Sequence, residues 1–297
     1  MDYSEKSIAR TLIYSDIFDY PLSYDEIWKY LIADKSVDKQ DFDNRIKRIN
    51  TIVYRNKEFF YIRGKETAIS KRLSRYKESL RKIKLAKETI GKLFLIPTVT
   101  FIGISGNLAV LNANHSDDID LFVIARKDTA WTTRLLLVLY LKILGKHRKR
   151  GDRDFSNKIC LNMIIDEDNL SIPEKFRNLY TAHEVAQVKP LMERGAVYKK
   201  FANANKWIVK YMPNSLSEMR KQRTEKANKA IANRLFMPIL TLSFFESLAR
   251  FVQKIIMKKN LTREVTDNGF IALHPKDYKG IILSNYSKKI SQYGLQI

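Results

Sequence analysis

The chain has 297 residues and carries 54 Lys and Arg against 32 Asp and Glu, for a net charge of +22, with 45% hydrophobic residues. That length holds two or three domains with proper cores, and the charge favours a polyanionic partner (nucleic acid, nucleotide or an acidic membrane surface) without choosing among them. The single cysteine, Cys160, excludes an intramolecular disulfide, and MDYSEKSIAR is not a secretory signal, so a cytoplasmic protein is expected.

The first 64 residues read as three short helices and a hairpin. Residues 4–19 place Ile8, Leu12, Ile13 and Ile17 on one side of a helix that ends at Pro21. Ser23-Tyr24-Asp25-Glu26 is a capping box that opens a second helix, with Ile27, Leu31 and Ile32 inward. A third helix starts near Lys39, with Phe42, Ile46 and Ile49 on one face and Arg45, Lys47 and Arg48 on the other. Residues 51–63 read as a hairpin turning at Arg55-Asn56-Lys57-Glu58. This pattern resembles a winged helix-turn-helix. The resemblance implies a third helix for the major groove and a wing for phosphate, but such modules also contact proteins, and both uses stay open.

Residues 65–96 read as a connecting helix. Leu73, Tyr76, Leu80, Ile83, Ile90 and Leu93 form its apolar stripe, while Arg72, Arg75, Lys77, Arg81 and Lys82 belong to a charged, solvated face.

The stretch that organises the chain is FIGISGNLAVLNANHSDDIDLFVIA, residues 101–125. It reads as a strand, a glycine turn through Gly103, Ser105 and Gly106, and a second strand bearing Asp118 and Asp120. Alternate strand residues share a face, so the two carboxylates point the same way. Side by side they repel, unless hydrated or bridged by a divalent cation. A lone Asp-x-Asp is common in solvated loops; the glycine turn and the apolar flanks give this one its weight. Gly103-Ile104-Ser105-Gly106 lacks the second glycine of a serine-hydrolase elbow, since Asn107 stands there.

The order apolar-Gly-Asn, ten residues, then Asp-apolar-Asp-apolar resembles the signature of the DNA polymerase β-like nucleotidyltransferase superfamily, with Asn107 where serine is usual. The resemblance implies a mixed sheet with flanking helices over residues 97–170. It implies Asp118 and Asp120 as ligands of Mg²⁺ (or Mn²⁺), and Ser105, Gly106 and Asn107 as the grip on a nucleoside triphosphate.

Beyond the motif, residues 129–144 read as a buried helix carrying Arg134, followed by a basic loop at 146–150. Residues 159–165 read as a further strand. The superfamily often takes a third carboxylate from such a strand; here the mid-strand polar residue is Asn162, and either Asp154 before it or Asp166 after it substitutes, or the third carboxylate is absent. Residues 171–297 read as a helical C-terminal region, including helices over 176–192 and 195–211, a basic segment from Arg220 to Arg234, and an amphipathic helix over 235–257. In that helix Glu246, Arg250 and Lys254 form a polar stripe, which argues against a membrane span. Asn178-Leu179-Tyr180-Thr181-Ala182-His183-Glu184 resembles a stretch of bacterial nucleotidyltransferase-domain proteins with an N-terminal winged helix; it serves either helix packing or the acceptor side of the cleft.

The expected fold is therefore α+β: a winged helix-turn-helix, a connecting helix, a nucleotidyltransferase core and a helical C-terminal region. The expected activity is Mg²⁺-dependent transfer of a nucleoside monophosphate from a triphosphate to a nucleic-acid, protein or small-molecule acceptor. The alternative is a catalytically degenerate member of that fold that regulates by binding DNA or RNA.

Overall fold

Local capping sets the first elements. Asp2 accepts from the Glu5 amide at 2.9 Å while the Glu5 carboxylate accepts from the Asp2 amide at 3.1 Å, which opens α1 (Tyr3–Asp16). Ser23 and Glu26 make the same reciprocal pair at the start of α2 (Tyr24–Lys29), as their spacing anticipates. In this computed structural model the described residues are 1–49, 52–149, 151–222, 224–226, 239–258, 265–267, 269–272 and 278–295.

Helix α3 (Lys39–Arg48) follows, then β2 (Val53–Asn56) and β3 (Phe59–Ile62). With β1 (Leu22–Ser23) they make a small antiparallel sheet in the order β1-β3-β2. Ile8, Leu12, Ile27, Leu31, Phe42 and Ile62 fill the space between this sheet and the three helices.

Among the described residues the larger sheet has seven strands. Its order is β8-β7-β4-β5-β6-β10-β9, from β4 (Val99–Ile104), β5 (Ile119–Ala125), β6 (Ile159–Asp166), β7 (Lys189–Glu193), β8 (Glu225–Lys226), β9 (Val265–Asp267) and β10 (Phe270–Ala272). The β5/β6 and β7/β8 pairs are parallel and the other four antiparallel. Both faces are covered, so the central strands are apolar throughout rather than alternating.

Ile102 and Ile104 of β4, with Leu121 and Val123 of β5, face α4 (Thr67–Leu93) and α6 (Ala130–Ile143). On the opposite face, Phe101, Phe122 and Ile124 pack against Tyr198 and Phe201 of α8 (Val197–Ala204), and that core continues into the one beneath α1–α3. Backbone and side-chain bonds reinforce the junction: the Ala33 amide donates to the Tyr211 carbonyl, and Ser215, at the start of α9 (Ser215–Lys221), donates to the Lys29 carbonyl.

Three expectations change. Residues 171–297 are not wholly helical, because they supply four strands and both edges of the large sheet. The expected helix over 176–192 breaks after α7 (Leu179–Gln187), where Lys189–Glu193 pairs with β4; the missing amide of Pro190 and the demand of β4 for an edge partner favour strand there. Helix α6 is buried on one side only, through Trp131, Leu137 and Leu141, and leaves Leu136, Leu139 and Ile143 exposed.

Helix α10 (Ile239–Lys258) also sits the other way round from a simple amphipathic reading. Its polar residues face α6: Glu246 accepts from the Trp131 and Thr132 amides at 2.8 and 2.7 Å, and Gln253 donates to the Trp131 carbonyl at 2.8 Å. Phe245, Leu248, Phe251 and Ile256 are exposed, Phe251 at 65%. The orphan amides at the start of α6 need acceptors, and Glu246 supplies both. Among the described residues no helix is long and apolar enough to cross a membrane. Most of the basic segment 220–234 lies outside the described residues.

Candidate functional site

Strand β4 runs directly into the glycine turn. The Ser105 amide donates to the Asp120 carbonyl at 3.0 Å, and Gly106 follows at φ +63°, a conformation that favours glycine. A Cβ at Gly106 would lie 2.8 Å from Asp120 Oδ2, so turn and carboxylate are in close approach. Gly106 then opens a single helical turn, α5 (Gly106–Ala109).

The loop back to β5 is tied down at several points. Asp117 Oδ2 accepts from the Asn114 amide at 3.0 Å and from Asn107 Nδ2 at 3.3 Å. Asn107 is thereby committed to the loop through its side chain. Lys82, expected on a solvated face, is 0% exposed. Its ammonium donates to the carbonyls of His115 at 2.8 Å and Asp117 at 2.7 Å. Nothing in the local sequence distinguishes this lysine from its neighbours; only the sheet that buries the middle of α4 does.

Asp118 precedes β5 and Asp120 is its second residue, on the same side. In the parallel β5/β6 pair Asp120 lies beside Cys160. One ligand atom from each of Asp118, Asp120 and Cys160 lies within 4.8 Å of the others. Asn162 is two residues further along β6, where Nδ2 donates to Ser105 Oγ at 3.1 Å. Asp154 accepts from the Ser156 amide, and Asp166 is bound by Asp168 and Asn169 at the far end of β6; neither lines the cleft. The residue facing the carboxylates is a thiol, which no acid-based pattern would flag.

Arg148, from the basic loop, is the countercharge. Its Nη1 is 2.8 Å from Asp118 Oδ2 and 3.5 Å from Cys160 Sγ. That ion pair is the contact given to Asp118 Oδ2, an oxygen otherwise buried without a partner. Arg134 is a paired structural arginine: its Nη1 donates to Gln253 Oε1 on α10. Arg150 of the basic loop lies outside the described residues.

Burial dominates the electrostatics. It raises Asp118 above the usual carboxylate range, against the pull of Arg148. It pushes Asp120 up to about 7, helped by the charge of Asp118, and Glu184 up to about 7 as well. It also raises the Cys160 thiol, helped by the charges of Asp120 and Asp118. His183 goes the other way, to about 4, because burial disfavours its imidazolium.

The carboxylates open on a cleft of about 580 Å³. Helix α7 supplies Tyr180, His183, Glu184 and Gln187 to one wall, and Tyr14, Phe18, Tyr20 and Tyr30 from the N-terminal helices and their connections supply another. His183 stacks on Tyr14 with ring centroids 3.9 Å apart, and its Nδ1 is 2.9 Å from the Leu179 carbonyl, so it joins α7 to α1 rather than offering a free base. Glu184 is the member of that motif with a carboxyl at the cleft. Arg45 of α3 pairs with Asp2 and Asp41 at 2.9 and 3.1 Å and takes no part in it.

Two carboxylates converging beside a glycine turn suit a hard divalent cation such as Mg²⁺ or Mn²⁺. Cys160 adds a softer donor that tolerates Mn²⁺ better than Mg²⁺. Comparisons with known protein families, curated proteins and solved structures find no match to the chain.

Proposed function

We propose that the chain is a divalent-cation-dependent nucleotidyltransferase of the polymerase β-like kind, moving a nucleoside monophosphate from a triphosphate to an acceptor. The observation that carries this reading is the approach of Asp118 and Asp120 to one point beside the Gly106 turn, inside a cleft large enough for a nucleotide.

Asp118 and Asp120 would hold the Mg²⁺ or Mn²⁺, which when bound supplies charge neutralisation at the phosphates. The backbone amides of Gly106 and Asn107 would be the donors offered to the triphosphate oxygens. Arg148 offsets carboxylate repulsion and offers a guanidinium to a phosphate. The acceptor oxygen attacks the α-phosphorus, the bond from that phosphorus to the bridging oxygen of pyrophosphate breaks, and pyrophosphate leaves with the electron pair. The acceptor proton passes to a base in the cleft. The test is purified protein with α-labelled triphosphates and Mn²⁺, beside Asp118→Ala and Asp120→Ala. Label transfer is expected from the unaltered chain alone; transfer surviving both substitutions ends the proposal.

A second reading rests on the N-terminal elements, whose helices and hairpin follow a winged helix-turn-helix pattern. Lys47 and Arg48 at the end of α3 are exposed, as are Arg55 and Lys57 at the hairpin turn. A nucleic-acid-binding regulator is expected to bind duplex DNA with a steep salt dependence. Lys47→Glu combined with Arg48→Glu would flatten that slope; no binding at low salt rejects this reading.

A further inference from the structure

Behind the carboxylates lies a second space that nucleotidyl transfer alone does not use. It is an apolar chamber of about 270 Å³, walled by Phe122, Met163, Phe176, Val185, Phe201 and Phe270. It meets the nucleotide cleft along Asn162, Tyr180, Glu184 and Tyr278, which line both spaces. The chamber is built by the underside of the large sheet, by α7 and by the start of α11 (Tyr278–Gln292), and among its described lining residues the one cation is Lys279.

We propose that this chamber is the acceptor subsite, and that the acceptor is a small molecule with an apolar ring body and one hydroxyl group, rather than a nucleic acid or a protein. The inference rests on the transferase reading and gives that reading its substrate class. Size and polarity carry it. Cavities of about 150 Å³ with such walls stay dry and take up benzene, so this larger chamber holds a fused-ring body. Polar groups confined to one end are the usual arrangement where a ligand is oriented by a few hydrogen bonds and held by apolar contact. A polyanionic strand would bring phosphates into walls that offer almost no countercharge. An acceptor seated here puts its hydroxyl at the Glu184 carboxyl, on the side of the acid cluster. The hydroxyl oxygen forms a bond to the α-phosphorus, the bond between that phosphorus and the pyrophosphate oxygen breaks, and the hydroxyl proton goes to Glu184.

The test uses the full chain and 2-naphthol as probe. Calorimetry should show one saturable site per chain, unchanged by a non-hydrolysable nucleoside triphosphate with Mn²⁺. Val185→Trp and Ala272→Trp fill the chamber from two walls, and each should weaken naphthol by about tenfold or more. Should either variant misfold, the Met163 methyl resonance of the unaltered protein reports directly, and it should shift on titration. Glu184→Gln should leave naphthol affinity within about threefold and cut label transfer to naphthol by about a hundredfold. No saturable binding, an unmoved Met163 signal, or displacement of naphthol by nucleotide overturns the proposal, the last because the chamber then holds the base. If naphthol binds but no Asp120-dependent transfer occurs to any acceptor, the acceptor role falls with the transferase reading; transfer to other acceptors without naphthol binding removes the chamber inference alone.

Discussion

The Lys82 ammonium donates to the carbonyl of Asp117 at 2.7 Å, one residue before the first carboxylate of the cluster. A helix outside the motif thus fixes the motif's backbone. Lys82→Met keeps the stem and removes the charged donor, leaving the His115 carbonyl with Ser156 Oγ and the Asp117 carbonyl with the Asn157 amide as remaining partners. At about 1.5–3 kcal/mol for a hydrogen bond to a charged group, the expected loss is about 2 kcal/mol. Urea denaturation measures it, and calorimetry with Mn²⁺ should show weaker binding because Asp118 is no longer held in place.

Gly106→Ala adds a Cβ 2.8 Å from Asp120 Oδ2 at a left-handed position. The backbone penalty is about 1 kcal/mol, and the carboxylate must move. Stability should fall by about that amount while cation affinity falls by about tenfold or more, since ligand placement is the more exacting requirement. Thermal melts with and without Mn²⁺ separate the two effects.

Arg148 is the nearest countercharge to Asp118. Arg148→Met leaves two carboxylates facing each other with no guanidinium between them and solvent. The variant should melt lower than the unaltered chain without cation, and saturating Mn²⁺ should raise its melting temperature by a larger increment. Equal increments in the two proteins would show that Arg148 does not offset the cluster's repulsion.

Glu184 titrates near 7 because it is buried, and Asp120 does so because it is buried beside Asp118. Unfolded carboxyls titrate near 4. A folded pKa above the unfolded one means these groups favour the folded state most below about pH 4, and that contribution is lost as pH rises through about 7. Buried His183, held at about 4, acts in the opposite sense up to about pH 6.5, so without cation the fall in melting temperature should show between about pH 6.5 and pH 8. Glu184→Gln should flatten that fall, and a melting temperature rising over the same window would contradict the assigned burial.

Glu246 caps α6 by accepting from the amides of Trp131 and Thr132. Glu246→Ala removes both bonds, at about 1–2 kcal/mol for a lost helix cap. Limited proteolysis should cut first near α10, and the unaltered chain should resist at the same protease dose.

Much of the site was legible because its demands are local. A glycine turn, an apolar run and two acids in alternation need only short-range rules, and the capping box at Ser23 is of the same kind. What stayed hidden depends on partners far along the chain. Cys160 faces Asp120 only through the β5/β6 register, which no local pattern encodes. Lys82 looks like any surface lysine until the sheet covers it. In the stretch at 189–193 Pro190 is a local sign against helix, but the strand state is set by β4, nearly a hundred residues earlier. For α10, periodicity correctly marks two faces, but the needs of α6, not hydrophobicity, decide which one turns inward.

The last described helix closes on the first: Lys289 of α11 pairs with Asp16 of α1, and Tyr286 packs edge-on against Tyr14, with centroids 5.5 Å apart. During synthesis α1 emerges long before its partner, so Tyr14 and the ring of His183 stacked on it wait for residues some 270 positions downstream of the first helix. A ribosome that stops before α11 releases a chain with the acid strand complete and the cavity behind it unwalled on the Tyr278 side. Such a product keeps every residue of the glycine–aspartate motif and still lacks the enclosure that would let it work.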